Sequence, residues 1–170
     1  MPASAAPSDE DLMLAYAAGD AAAFDTLYAR HRGGVYRYLL RQCRHSGAVD
    51  ELFQDVWMNL IRARASYAVT AKFTTYLYRL AHNRLIDYYR ASGQVTLVSA
   101  DDEAYEDIVV SLPPTQREAF LLQHEGGLSL SEIADLTGVG VETVKSRLRY
   151  AMNKLRGDLS DLRETGAAQP

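Results

Sequence analysis

Residues 130–155 read LSEIADLTGVGVETVKSRLRYAMNKL, and the spacing within this stretch decides the fold. Ile133 and the small Ala134 sit in a short amphipathic segment, and Gly138 follows four residues later. Val144 and Leu148 then return to apolar character. A small residue, a glycine and an apolar residue at these offsets suit two helices that cross at about 90–120° through a tight turn. The small side chain permits close approach, and glycine supplies the permissive backbone. The stretch therefore predicts a helix-turn-helix.

On a wheel of 100° per residue, Val144, Leu148, Ala151 and Leu155 share one face of the second helix. Glu142, Ser146, Arg149 and Asn153 lie opposite, flanked by Lys145 and Arg156. Residues 143–156 hold Lys145, Arg147, Arg149, Lys154 and Arg156 and no acid. An apolar back and a basic, hydrogen-bonding front fit a DNA major groove. A solvated basic face on a packing helix is the plainer alternative for that helix taken alone.

Outward from this stretch, nearly every periodic segment reads helical, and no period-2 strand stands out. The expected class is all-α, with two small helical domains joined by an acidic linker. Ser8 and Asp11 resemble a capping box at a first helix. Asp20 looks like the N-cap of a second, carrying Phe24, Leu27, Tyr28 and Leu39, with a bend or break expected at Gly33-Gly34. A third helix is predicted over 49–64, with Val49, Leu52, Phe53, Val56 and Leu60 as its apolar stripe. A fourth is predicted over 74–90, with Leu77, Leu80, Ala81 and Tyr88 on one face and Arg79, His82, Asn83, Ile86 and Arg90 facing away. The pattern then stops. After Leu112-Pro113-Pro114, further helices are expected over 115–124, from Ser129 or Ser131 to Gly138, and over 141–159. The expected division is 1–92, a linker over 93–110, a second domain over 111–165, and a frayed tail over 166–170.

The net charge of −4 is unevenly spread. Residues 1–90 carry 11 Lys/Arg against 9 Asp/Glu, whereas residues 91–112 carry five acids (Asp101, Asp102, Glu103, Glu106, Asp107) and no base. A nucleic-acid-binding face can therefore hide in an acidic chain. From Arg62 to Arg90 there are six Lys/Arg and one acid, Asp87, and five of the chain's 11 tyrosines lie between Tyr67 and Tyr89. Basic groups beside aromatic faces suit a single strand, whose phosphates and bases they engage together. The plainer reading makes Phe73 and Tyr88 core and the rest interfacial. On the third helix, Glu51, Gln54, Asp55 and Met58 lie opposite the apolar stripe with Trp57 at its edge, a composition that suits a protein partner, while a half-buried core position is the plainer alternative for a tryptophan at a stripe's edge.

Other classes fit poorly. No apolar run approaches the roughly 20 residues of a membrane span, and the leading MPASAAPSDEDLML lacks the pattern of a secretory signal. One cysteine, Cys43, makes neither an internal disulfide nor a cysteine-rich zinc site, which is consistent with the cytoplasm. His31, His45, His82 and His124 are scattered. No phosphate loop, metal motif or nucleophile signature appears, so no catalytic residue, metal ligand or cofactor is expected.

Two ordered blocks carry a family resemblance. Leu112-Pro113, Arg117, Phe120, Gly127, Ser129, Glu132-Ile133-Ala134, Gly138, Thr143-Val144-Lys145-Ser146-Arg147-Leu148, Ala151 and Leu155 resemble region 4 of bacterial sigma factors. Gly19-Asp20 with Phe24 and Leu27-Tyr28, then Asp50-Glu51-Leu52-Phe53-Gln54-Asp55-Val56-Trp57, then Tyr76-Leu77-Tyr78-Arg79-Leu80-Ala81-His82-Asn83 with Asp87, resemble region 2. Over about residues 9–160 the chain is similar to the two-domain extracytoplasmic-function type of the sigma-70 family.

That resemblance implies a specificity subunit of RNA polymerase. Region 2 docks on the polymerase clamp and captures the melted −10 element, region 4 docks on the β flap and reads the −35 element as duplex, and the linker threads toward the active-site channel. It further implies polymerase contacts at Glu51, Gln54, Asp55 and Trp57, and −10 contacts from the loop over 66–72 (Ser66, Lys72) and from Tyr76, Arg79 and Asn83. The −35 contacts are Thr143, Lys145, Ser146, Arg147 and Arg149. The expected partners are core RNA polymerase, promoter DNA and an anti-sigma factor, with no membrane insertion. Three positions depart from the pattern. Tyr76 stands where tryptophan is common, Ala91-Ser92-Gly93-Gln94 replaces an arginine-rich tail, and Glu142 aims an acid at the groove, where it can accept from cytosine or repel phosphate. A duplex-binding regulator that ignores polymerase and a sigma mimic that sequesters an anti-sigma protein remain alternatives at this stage.

Overall fold

The computed structural model describes residues 4–43, 46–92 and 108–167. These residues form seven α-helices and no strand: α1 (Asp9–Ala17), α2 (Ala21–Gln42), α3 (Ser46–Ala63), α4 (Phe73–Ser92), α5 (Pro114–His124), α6 (Leu130–Thr137) and α7 (Val141–Ala167). A single 3₁₀ turn, Arg64–Ser66, follows α3. The expected acidic run Asp101–Asp107 and the last three tail residues lie outside the described residues. Helix α7 continues through residues 166 and 167.

Local chemistry accounts for the helix starts. The Ser8 hydroxyl accepts the Asp11 N–H, and Asp20 accepts from Ala22 and Ala23. Each cap satisfies N–H groups that the first helical turn leaves without a carbonyl. Of the two serines considered for α6, Ser129 is the cap. It accepts from Glu132 N while its own N–H donates to the Glu132 carboxylate, a reciprocal box. Pro114 opens α5, where its missing N–H costs nothing.

Gly33-Gly34 does not break α2, which runs unbroken through both. An interior glycine costs only about 1 kcal/mol, and the reason for glycine here is spatial. A Cβ on Gly34 would lie 2.6 Å from the Tyr78 hydroxyl oxygen. Such a position admits no side chain without displacing α4 or its tyrosine.

Helices α1–α4 bury Met13, Leu27, Val35, Leu39, Val49, Leu52, Val56, Leu60, Phe73, Leu77 and Ala81. Thus the stripe read for α3 faces inward, with Phe53 half-buried at its margin. Helices α5–α7 form a second lobe, but its core is not separate. One contiguous apolar cluster runs from Leu12 through Tyr38 and Tyr78 to Leu121, Leu122, Ile133, Val144 and Leu148. A small satellite of Leu112, Ala151 and Leu155, covered by Ile108, Val109 and Phe120, ties α5 to the middle of α7. Residues 108–110, expected as linker, are a turn packed on that satellite.

Candidate nucleic-acid and polymerase interfaces

The turn between α6 and α7 is built as the spacing requires. Gly138 adopts φ +73°, in the left-handed region, and its N–H and that of Val139 both return to the Ala134 carbonyl. Ala134 is buried beside Ile133 at the helix crossing. Val144, Leu148, Ala151 and Leu155 are buried, so the wheel of α7 is oriented as read.

The opposite face of α7 is open. Thr143, Lys145 and Arg149 are exposed, while Ser146 and Arg147 are half-buried. Arg147 thus stands at the flank of the face, not at its centre. Glu142 is more solvated than Lys145, and its carboxylate takes the Lys145 ammonium at 3.0 Å. That pair offsets the acid in the first turn of α7. Tyr150, which the sequence reading passed over, is 56% exposed, and the Arg149 guanidinium sits 5.7 Å from its ring centroid. Its apolar neighbours in sequence disguised it, and only its wheel position, one turn beyond Ser146, signals it.

In the first lobe, Lys72, Tyr76, Arg79 and Asn83 recur at i, i+4, i+7 and i+11 and therefore line one side of α4 and its entry. Arg79, Asn83 and Lys72 are exposed. Tyr76 is half-buried, edge-on to Tyr67 at 5.2 Å and tilted on Phe73 at 6.3 Å. Burial raises the pKa of its hydroxyl. The preceding loop is held at both ends. The Ser66 hydroxyl donates to Ala63 O, and the Phe73 N–H donates to the Glu10 carboxylate on α1 at 2.9 Å. Glu10 thus supplies a cap for α4 from another helix, a role that no local spacing announces. His82 departs from the expected outward set, because its Nδ1 meets the Glu118 carboxylate on α5. Ile86, also expected outward, is half-buried.

The α3 surface is corrected at one position. Trp57 is 4% exposed, enclosed by Phe24, Tyr28 and Phe53 at centroid distances of 6.0, 5.0 and 6.3 Å. Trp57 thus packs α3 from within and leaves little of its indole on the surface. Two of these rings, Phe24 and Tyr28, come from α2, which a single-helix wheel cannot include. Glu51, Gln54 and Met58 remain on the open side, and Asp55 is held by Arg84 Nε of α4 at 2.8 Å.

The two lobes meet through polar groups that sequence reading did not single out. The Glu125 carboxylate receives Arg37 and Arg41 of α2, each at 3.0 Å, while its carbonyl accepts the Tyr78 hydroxyl at 3.1 Å. The bond to Glu125 raises the pKa of the Arg37 guanidinium, and burial pushes the Tyr78 phenol well above its usual range. Glu118 also accepts from the Tyr38 hydroxyl. Arg117, buried in the second lobe, donates to the Gln42 side chain and to Val110 O. Among the described residues no cluster of His, Cys, Asp or Glu is arranged to hold a metal ion, and no helix is long and apolar enough to cross a membrane.

The family model described as Sigma-70 region 2 matches residues 27–94, and that described as Sigma-70, region 4 matches residues 102–155. The RNA polymerase sigma factor CarQ of Myxococcus xanthus is 30% identical over 159 residues, covering 82% of this chain and 91% of CarQ. The ECF RNA polymerase sigma factor SigM of Mycobacterium tuberculosis is 28% identical over 162 residues, covering 87% of this chain and 83% of SigM. Among solved structures, CnrH in complex with the cytosolic domain of CnrY superposes with a TM-score of 0.70 at 25% identity, over 91% of this chain and 99% of that one. The sigma factor RpoE of Bartonella quintana, solved with the anti-sigma factor NepR, shares the fold, with a TM-score of 0.66 at 19% identity over 81% of this chain and 96% of that one.

Proposed function

The chain belongs to the sigma-70 family as an extracytoplasmic-function sigma factor that directs RNA polymerase to promoters, and from that premise we propose how its residues divide the work. The α7 face made by Thr143, Lys145, Ser146 and Arg149 reads the −35 element as duplex in the major groove, with Arg147 on its flank. Lys72, Tyr76, Arg79 and Asn83, entered from the loop that starts at Ser66, engage the melted −10 strand. Glu51, Gln54 and Asp55, with Met58 beside them, meet the polymerase clamp. The observation that carries this reading is the pairing of two exposed polar faces on separate lobes. One is the basic front of α7, and the other is the stripe of exposed Lys72, Arg79 and Asn83 with half-buried Tyr76 on α4 and its entry. Groove edges identify paired bases, and a splayed strand needs stacking and edge contacts.

The protein acts as an initiation factor and carries no chemistry of its own in this reading. It works in the cytoplasm, where the polymerase is. CnrH is seen with the cytosolic domain of a second protein, CnrY, and we assign this chain an anti-sigma regulator of comparable kind. In-vitro transcription with core polymerase on a genomic fragment library tests the proposal. Start sites sharing two elements are expected, lost from duplex recognition by Arg149→Ala and from opening by Asn83→Ala. Tight, sequence-specific duplex binding without polymerase, together with no transcription, would replace it with a plain regulator.

A further inference from the structure

The loop over 66–72 lies open to solvent, since of residues 64–72 only Tyr67 is not exposed. Its shape therefore depends on how its ends are held. At the exit, Lys72 takes the N-cap place of α4, because its carbonyl accepts the Tyr76 N–H at 3.2 Å. An ammonium has no lone pair to offer, so the Lys72 side chain cannot cap the N–H groups that a first helical turn leaves open. Glu10 of α1 fills that place from 63 positions away, its carboxylate accepting the Phe73 N–H at 2.9 Å. The helix dipole also favours a negative charge there. At the entry, the Arg64 guanidinium sits 5.8 Å from the Tyr16 ring centroid. Both ends of the loop thus meet α1. That helix is itself fixed to α2, because Asp9 takes Arg30 at 3.0 Å and the His31 ring at 2.8 Å, and Leu12 and Met13 are buried.

We propose that Glu10 is a positioning residue for −10 recognition. Through the Phe73 N–H it fixes the join between the loop and α4, and with it the placement of Lys72 and Tyr76 toward a single strand. The inference rests on the reading of that loop and the α4 stripe as the −10 contact. Tyr76 closes the first turn of α4, since its N–H is the one bonded to Lys72 O. Fraying of that turn therefore moves its ring. The ring is set among others, edge-on to Tyr67 at 5.2 Å and against Phe73 at 6.3 Å, and Phe73 in turn lies 5.4 Å from the His31 ring. Burial first, and the Glu10 carboxylate next, raise the pKa of the Tyr67 hydroxyl. Glu10 acts on the strand only through the backbone it holds. A loop already ordered loses less conformational entropy when a base enters it.

The test uses holoenzyme assembled from the full chain and core polymerase. Its probe is the non-template −10 strand of a promoter mapped by in-vitro transcription, as a fluorescent single-stranded oligonucleotide, with a scrambled strand as reference. Glu10→Ala should lower the preference for the −10 strand over the scrambled one about fivefold, the worth of one helix cap. Glu10→Asp keeps the charge but falls one methylene short, and should lose as much. Glu10→Gln keeps an acceptor oxygen at the same reach and should retain most of the preference. Asp11→Ala removes an equal charge from the same turn of α1, at an exposed site, and should change nothing. Affinity for core polymerase and for −35 duplex should be unchanged in all four. Amide exchange in the free chains should quicken at Phe73 in the alanine and aspartate variants while the middle of α4 stays protected. An undiminished preference with Glu10→Ala, or with Glu10→Asp should the alanine variant fail to fold, overturns the proposal. So does loss of core and −35 binding in step with the −10 preference, the mark of a merely structural residue. A wild-type holoenzyme that cannot tell the two strands apart refutes the −10 reading itself, whereas a wild type that discriminates and a Glu10→Ala that does so equally refute only the role of Glu10.

Discussion

Gly138→Ala isolates the backbone of the helix-turn-helix from every other contribution. Gly138 holds φ +73°, and no atom lies within 4 Å of where a Cβ would stand. No clash therefore arises, and the whole cost is conformational. An L-residue in the left-handed region costs roughly 1–2 kcal/mol. Alanine recovers about 0.4–1 kcal/mol by narrowing the unfolded ensemble, which leaves a net loss of about 1 kcal/mol. For a chain of this size that corresponds to a fall in Tm of about 2–4 °C. Gly157 is the matched control. It lies inside α7, also with nothing within 4 Å of a Cβ, but without a positive φ. There the same substitution should stabilise by about 0.5–1 kcal/mol, because interior helix glycine is the poorer residue. Urea unfolding followed by far-ultraviolet circular dichroism reads both signs from the shift in midpoint at constant slope. Equal stability of Gly138→Ala and wild type would refute the left-handed turn. A loss above about 3 kcal/mol would reveal a steric contact that the structure lacks, since strain at one residue does not reach that size.

Arg149→Ala should remove about 1–3 kcal/mol of −35 base discrimination in duplex competition assays with holoenzyme. Lys154→Ala should weaken all sequences slightly and alike, since Lys154 is already paired with Asp158 at 3.6 Å; equal, sequence-blind losses for both would misplace the α7 face. Asn83→Ala, at an exposed site, should leave folding and polymerase binding intact but reduce permanganate reactivity of the melted −10 strand, and full opening on linear promoters would return Asn83 to plain solvated surface. Burial pushes the Tyr89 hydroxyl, which donates to Gln42 O, from 10 up to about 12, and raises Tyr38 and Tyr78 as well. The folded state therefore holds these protons more tightly than the unfolded state. The stability they contribute is whole below pH 10 and is lost as pH rises through 12. The absorbance due to Tyr38, Tyr78 and Tyr89, isolated by difference against Tyr→Phe variants, should appear together with loss of helicity in that window, and their ionisation near pH 10 with helicity unchanged would contradict the burial. Ser129→Ala should cost about 1 kcal/mol through its cap on α6, read as a lowered urea midpoint.

The exposed polar face of α7 was legible in the sequence because it is made by periodicity within one helix. Val144, Leu148, Ala151 and Leu155 fix the orientation of α7, and the exposed Lys145 and Arg149 follow from it. On α4, Arg79 and Asn83 were read outward from spacing and are exposed, whereas Lys72 and Tyr76 came only with the family resemblance. The caps at Ser8, Asp20 and Ser129 are equally local. Where the reading failed, the deciding atoms came from elsewhere in the chain. Trp57 sits at the edge of its own helix wheel, yet rings from α2 enclose it. His82 faces outward on α4 until α5 brings Glu118 to it. Gly34 looked like a helix breaker and instead makes space for Tyr78. By itself the sequence determined which residues form helices and which faces of those helices are apolar, since both depend on neighbours within a few positions. Tertiary structure alone decided which polar groups meet between lobes, because Arg37 and Glu125 are 88 positions apart and no period along the chain connects them.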